Sequence, residues 1–247
     1  MMRRSFSKPV PAGEIDRLVD TYRAEGYEGL QLKQGQYLDQ VADPEAVLTR
    51  WGDDPGTFSA LIVFDTLRPD GLERLHDIVS FAAAVGSERV VFCHDHPRDG
   101  VDAGVLRGFA GILALEGMAA RDQGVTLSLH HHFGQPVMMP EDFRVFFDAV
   151  GDTVGLTVDT AHLAKSGIDD IPAFIREFGS VIDNLHLKDY DGEQWRLLGE
   201  GDLPLADILA ALDETGYTGW LCVDEESSAS LDDGFRLSRA WLERNGR

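Results

Sequence analysis

Val125-Thr126-Leu127-Ser128-Leu129-His130-His131-His132 and, beyond a helical stretch, Val154-Gly155-Leu156-Thr157-Val158-Asp159 decide the fold. Side chains alternate across a strand, so each run divides into two faces. Val125, Leu127 and Leu129 share one face of the first run, and Thr126, Ser128, His130 and His132 share the other. Val154, Leu156 and Val158 oppose Gly155, Thr157 and Asp159 in the second. Between them, Pro140-Glu141-Asp142 opens a helical pattern over 140–150, with proline where a first turn tolerates it. The unit is strand, turn, helix, strand.

The same unit recurs along the chain. Short apolar runs occupy Arg3–Ser7, Glu28–Lys33, Phe58–Asp65, Arg89–His94, Val125–His130, Val154–Asp159, Val181–Lys188 and Thr218–Asp224. Helical patterns cover about 13–24, 43–50, 70–85, 102–122, 140–150, 169–178, 204–215 and 231–244. Asp43-Pro44-Glu45 and Asp170-Ile171-Pro172 are helix starts, and glycine follows others, as in Glu25-Gly26 and Thr215-Gly216. Strands alternating with helices imply an α/β protein with a parallel sheet. Eight units in 247 residues imply one closed (β/α)8 barrel spanning 1–247. An open doubly wound sheet would want a glycine-rich phosphate turn after an early strand, and none is present.

With 43 acidic and 22 basic side chains the net charge is −21, which argues against nucleic acid or an anionic membrane as partner. Cys93 and Cys222 form neither a disulfide framework nor a metal-type spacing. The first residues lack the apolar stretch of a secretory signal, and no run approaches the ~18 apolar residues of a membrane span. The expectation is a cytoplasmic protein, with a homo-oligomer compatible with the sequence.

The apolar strand faces should pack on the helices, leaving the polar faces inside the barrel. In the run 181–188, Ile182, Asn184, His186 and Lys188 fall together, opposite Asp183, Leu185 and Leu187. In the last run Trp220, Cys222 and Asp224 oppose Leu221 and Val223, and Gln31 pairs with Lys33 in the second. His130, Asp159, His186 and Asp224 then stand at four C-terminal strand ends, where barrel enzymes place their chemistry. One such residue is commonly a cap or a solvated side chain. Four in phase, with mixed nitrogen and oxygen donors, suit one divalent ion such as Mn²⁺, Co²⁺ or Zn²⁺. His94, His96, His130, His131, His132 and His162 also lie near strand ends, whereas His76 falls within a helical pattern.

At these residues the sequence resembles the sugar phosphate isomerase/epimerase superfamily, the xylose isomerase-like TIM barrels. Gly26-Tyr27-Glu28-Gly29-Leu30-Gln31-Leu32 resembles an early family motif, with Gln31 where glutamate is usual. Val154 to His162, Asn184-Leu185-His186-Leu187-Lys188-Asp189, and Leu198-Gly199-Glu200-Gly201-Asp202 followed by Gly216 to Asp224 resemble later ones. Leu129-His130-His131-His132-Phe133-Gly134 is similar to the inosose dehydratase branch. The resemblance makes Asp159 and His186 metal ligands and His162 a substrate contact. It places His130 and Asp224 where the family has glutamates, with Glu226 on the same strand face as Asp224.

The implied chemistry is removal of a proton beside a carbonyl of a sugar or polyol, by an isomerase, an epimerase or a dehydratase. The metal set would be His130, Asp159, His186 and Asp224, and the catalytic set His132, His162, Lys188 and Asp224. With His130 replacing one of two opposed carboxylates, an asymmetric elimination is favoured over symmetric epimerisation. Lys33, Lys188 and Arg196 are candidate contacts for a substrate anion, with surface charge the plainer role for Lys33 and Arg196. Gly199-Glu200-Gly201 reads as a loop over the barrel mouth. Two other readings are an endonuclease IV-like repair enzyme, with His94 and His96 adding metal ligands, and a carbohydrate-binding barrel without catalysis.

Overall fold

The computed structural model describes residues 2–52, 54 and 56–247. Eight parallel strands close into a barrel: β1 (Arg3–Ser7), β2 (Gly29–Leu32), β3 (Phe58–Asp65), β4 (Arg89–His94), β5 (Thr126–His130), β6 (Gly155–Asp159), β7 (Ile182–Leu187) and, after a small hairpin of β8 (Asp189–Tyr190) and β9 (Trp195–Arg196), β10 (Trp220–Asp224). β10 pairs with β1 from Arg3↔Trp220 to Ser7↔Asp224, which shuts the barrel. Around it run α1 (Ile15–Thr21), α2 (Pro44–Trp51), α3 (Pro69–Ala84), α4 (Ala103–Asp122), α5 (Pro140–Val150), α6 (Thr160–Lys165), α7 (Ile171–Phe178), α8 (Leu205–Glu214) and α9 (Leu231–Arg244).

Local chemistry sets the helix starts. Asp43, Asp102 and Asp170 accept backbone N–H bonds at the starts of α2, α4 and α7, and proline occupies the first turn of α2, α3, α5 and α7. The apolar strand faces pack outward as expected. Leu127, Leu129, Leu156, Val158, Leu185, Leu187, Leu221 and Val223 join one core with helix residues such as Leu113, Phe143, Phe146 and Ile208.

Inside the barrel the filling is divided. Ala60, Ile62, Val91 and Cys93 make a small apolar cluster on β3 and β4. On the other side Ser128, Thr157, Asn184 and Gln31 are fully buried and hydrogen-bonded to one another in sequence. This arrangement leaves a rigid polar wall under the C-terminal end.

The structure departs from the sequence reading at identifiable places. Ile182 joins the outer core and does not share the inner face with Asn184. The β6–β7 register slips there, with Leu156 opposite Ile182 and Thr157 opposite Asn184. A bulge turns one residue's direction over. Asp183 therefore reaches Ser128 Oγ at 2.7 Å and Arg89 Nε at 3.3 Å. Gly155 is required beside it, because a Cβ at that position would lie 2.2 Å from the Asp183 carboxylate. α6 was not expected at all, and α1 is shorter than 13–24 because its end unwinds into turns closed by Gly26 at φ +85°.

α4 is long and apolar enough to cross a membrane by length and composition, contrary to the expectation that no run comes near. In this structure it is an outer helix, burying Leu106, Ala110, Leu113, Gly117 and Ala120 and leaving Leu115 and Met118 exposed.

Candidate active site

The ligand atoms of His130, Asp159 and His186 all lie within 4.8 Å of one another, and all three residues are buried. They come from the ends of β5, β6 and β7, as the phasing required. Asp159 does two jobs. Its Oδ1 accepts from the Ala161 and His162 amides, both at 2.9 Å, and so starts α6. Its Oδ2 is buried without a hydrogen bond, 3.8 Å from His130 Nε2. His130 Nδ1 and His186 Nδ1 are likewise buried and unpartnered. Buried polar atoms are normally satisfied. Two such atoms, Asp159 Oδ2 and His186 Nδ1, with His130 Nε2 facing the same carboxylate oxygen, fit a divalent transition ion.

The partners around the cluster orient it. His186 Nε2 bonds Gln31 Oε1 at 2.8 Å, which leaves Nδ1 for the cluster. Gln31 is itself locked, donating to Asn184 Oδ1 at 2.8 Å and accepting from Asn184 Nδ2 at 3.1 Å. His131 Nε2 accepts the Asp159 amide at 3.0 Å and pins the end of β6.

Asp224, the fourth expected residue, is adjacent: its Oδ2 lies 3.8 Å from His186 Nδ1. Both of its oxygens are held by lysines, Lys33 at 2.6 Å and Lys188 at 2.7 Å. Glu226 bridges the same two lysines, each at 2.8 Å. Lys188 also lies 3.5 Å from Asp159 Oδ2. Although burial opposes its charge, Asp159, Asp224 and Glu226 hold Lys188 protonated well above the ordinary lysine range. Burial likewise opposes the Asp224 charge, yet Lys188 and Lys33 keep it ionised far below the usual carboxylate range. Two ammonium groups and two carboxylates form a closed alternating ring.

His132 and His162 stand above the cluster with ring centroids 3.7 Å apart. Burial pushes both down, His132 to about 4 and His162 well below 6.5, so both are neutral imidazoles at pH 7. The β8–β9 hairpin brings Trp195 to 5.1 Å from His162, and Lys188 Nζ lies 5.1 Å from the Trp195 ring. Phe64 packs edge-on to His132. Trp195 escaped the sequence reading because a two-residue hairpin has no periodicity to betray it. Lys33 proves to be part of the site. Arg196 pairs with Asp191 on the exposed hairpin. Residues 199–203 wrap the buried Asp189 carboxylate, which accepts the Gly199, Gly201 and Leu203 amides. His94 and His96 lie outside the three-residue cluster, and the His94 ring packs against Phe109.

A closed parallel barrel with this cluster at the C-terminal end of its strands is a recognisable class, and residues 58–245 match the xylose isomerase-like TIM barrel family. The chain belongs to that family. Among curated proteins it is similar to the rhizopine catabolism protein MocC of Rhizobium meliloti, with 34% identity over 122 residues, 42% of this chain and 37% of that protein. It is also similar to inosose dehydratase of Klebsiella pneumoniae, with 26% identity over 143 residues, 49% of this chain and 48% of that one. The matched region thus spans less than half of each relative's length. Among solved structures, 3-keto-D-glucoside 4-epimerase YcjR from E. coli shares the fold with a TM-score of 0.79 at 17% identity, covering 99% of this chain and all of that one. The IolI protein with a bound zinc atom gives 0.79 at 16% identity, covering 99% and 98%.

Proposed function

We propose that this chain is a metal-dependent enzyme that removes a proton from a carbon beside a carbonyl of a sugar or polyol. The observation that carries the reading is the buried His130–Asp159–His186 cluster, set beneath two neutral histidines and beside a protonated lysine. The named activities of the relatives, inosose dehydration and sugar epimerisation, support the same class of substrate.

His130, Asp159 and His186 would hold the ion, with Asp224 next to it as a further carboxylate. A bound divalent ion supplies Lewis-acid polarisation of the substrate carbonyl. Neutral His162 and His132 are the groups able to accept the carbon-bound proton, since both carry free imidazole at pH 7. Lys188, fixed as a cation, faces the negative charge that develops on the substrate oxygen. In an elimination, the histidine that takes the carbon-bound proton would hand it to the departing hydroxide, which leaves as water, while Lys188 stays protonated. Imidazole bases beside a fixed cation, in place of two opposed carboxylates, favour a dehydratase-like reaction over a two-carboxylate epimerisation. The barrel wall excludes water from beneath, and Trp195 and Phe64 flank the histidines. The site of action is proposed to be the cytoplasm, with a small sugar or polyol as partner.

The test is incubation with keto-inositols and ketoses in D₂O, with Mn²⁺, Co²⁺ or Zn²⁺ added, followed by NMR. Deuterium incorporation or loss of water should require the ion and should fall at least a hundredfold in His162→Ala. Epimer formation without loss of water would overturn the elimination, and metal-dependent binding without any exchange would overturn the enzyme reading.

A further inference from the structure

The chain has four lysines; Lys8, Lys33 and Lys188 each directly follow the last residue of a barrel strand, and Lys165 ends α6. The 18 arginines instead supply most of the exposed ion pairs, as in Arg50–Asp16, Arg144–Glu177 and Arg176–Glu214. Lysine is a compact point charge on a flexible stem, suited to exchanging one anion for another.

Within the Lys33–Asp224–Lys188–Glu226 ring the two carboxylates are not equivalent. The Asp224 side chain is 2% exposed, whereas that of Glu226 is 26% exposed. Among the described residues, Glu226 has no partner except the two lysines: Oε1 on Lys33 and Oε2 on Lys188, both at 2.8 Å. It caps no helix and closes no turn. Its neighbour Glu225 does that work, buried against Lys8 and accepting the Ser227 amide at 2.7 Å. If Glu226 leaves the ring, the two ammonium groups share Asp224, and Lys188 also keeps Asp159, 3.5 Å away and a member of the metal cluster. With a divalent ion held by Asp159, this would be a locus of excess positive charge in a chain of net charge −21.

We propose that Glu226 is a tethered stand-in for substrate. Lys33 and Lys188 form a fork for a two-oxygen anionic group of the sugar, a carboxylate or a phosphate, which binds by displacing the Glu226 carboxylate. This deepens the functional reading above and rests on it, because it names the substrate as an acidic sugar or sugar phosphate. Lys33 is then a specificity-determining residue, and Glu226 is a competitor that keeps the fork closed to neutral polyols.

The test uses the full chain loaded with Mn²⁺ and calorimetric titration with D-glucuronate, D-glucose 6-phosphate and D-glucose. Glu226→Gln keeps the side-chain shape and removes the charge. It should raise affinity for at least one of the two anions about tenfold over the unaltered protein, with D-glucose unchanged. The stronger of the two identifies carboxylate or phosphate. Lys33→Met should lose the preference for anion over glucose, and Lys33→Gln, the milder variant, should lose most of it; circular dichroism would confirm that each is folded. Equal or weaker anion binding in Glu226→Gln, no anion binding at all in that variant, or an anion preference that survives in a folded Lys33 variant would overturn the proposal. Failure of deuterium exchange with every substrate would remove the enzyme reading while leaving the Glu226→Gln gain in anion binding measurable, so the two failures are distinguishable.

Discussion

Gln31 offers a direct test of whether the cluster is a metal site held from outside. Its side chain is 1% exposed and makes four hydrogen bonds: Oε1 with His186 Nε2 at 2.8 Å and Asn184 Nδ2 at 3.1 Å, and Nε2 to Asn184 Oδ1 at 2.8 Å and Ser5 Oγ at 3.3 Å. Replacing it by leucine keeps the bulk and deletes all four. Loss of the partner that fixes a ligating imidazole costs about 10–100-fold in metal affinity. Stability should also fall, because the His186 and Asn184 groups left unpaired cost about 1–3 kcal/mol each. Gln31→Leu should therefore lose about 2–5 kcal/mol of folding free energy in addition to weakened metal binding. Gln31→Glu keeps the acceptor for His186 and makes that ring more basic, so metal affinity should stay within about tenfold of the starting value. Competition against a chromophoric chelator with Zn²⁺ or Mn²⁺ gives the affinities, and urea unfolding without metal gives the stabilities. A folded Gln31→Leu protein that binds metal as tightly as the unaltered one would refute the claim that His186 is a ligand oriented through its Nε2.

Three further outcomes are expected. Asp159→Asn and Asp159→Ala should both lose metal binding, but alanine also removes the cap on α6, so it should be less stable than asparagine by about 1 kcal/mol; equal stabilities would show that the cap is inert. His94 is buried with both ring nitrogens unpartnered among the described residues, and burial, aided by His96, lowers it from 6.5 to about 4. As pH falls the unfolded chain takes up this proton first, so stability is lost from about pH 6.5 down to about 4. Between pH 7.5 and 5.0 the loss from this group is about 2 kcal/mol, and urea unfolding of His94→Phe should show a correspondingly smaller drop; an unchanged drop would dismiss His94 as the source. Finally, chelation should abolish activity while leaving far-UV circular dichroism nearly intact, because the core is built from strand faces and helices rather than by the ion; collapse of the helical signal would make the metal structural.

The barrel was legible because its signal is periodic and repeated. Alternation in Thr126–His130 and Gly155–Asp159 tells inside from outside, and eight such runs between helical stretches leave few topologies. The same alternation brings His130, Asp159 and His186 to one end of the barrel. It failed at Ile182, where a bulge slips the register by one residue and exchanges the faces of Ile182 and Asp183. Nothing in the composition of that run marks the slip. Gly155 is the one trace of it, since the space of its missing side chain is filled by Asp183 from the neighbouring strand. α6 was missed because its N-cap is itself the last residue of a strand, and six residues are too few to show a helical period.

The departures from the family pattern at the strand ends make sense only together. Gln31 and His130 stand where the resemblance expects glutamates, which removes two negative charges from the barrel mouth. Lys33 sets a positive charge beside them. A glutamate at 31 would have presented a carboxylate to Asn184 Oδ1, 2.8 Å from the Gln31 amide nitrogen, where two acceptors would repel. Asp224 is shorter than glutamate by one methylene, and in this structure both its oxygens are taken up by lysines while His130, Asp159 and His186 converge within 4.8 Å. The changes at 31 and 130 leave fewer carboxylates at the mouth, while Asp224 keeps its charge and holds Lys33 and Lys188 beside the cluster. On the proposal that Glu226 stands in for substrate, a substrate bringing its own carboxylate or phosphate would take the place that Glu226 holds between Lys33 and Lys188.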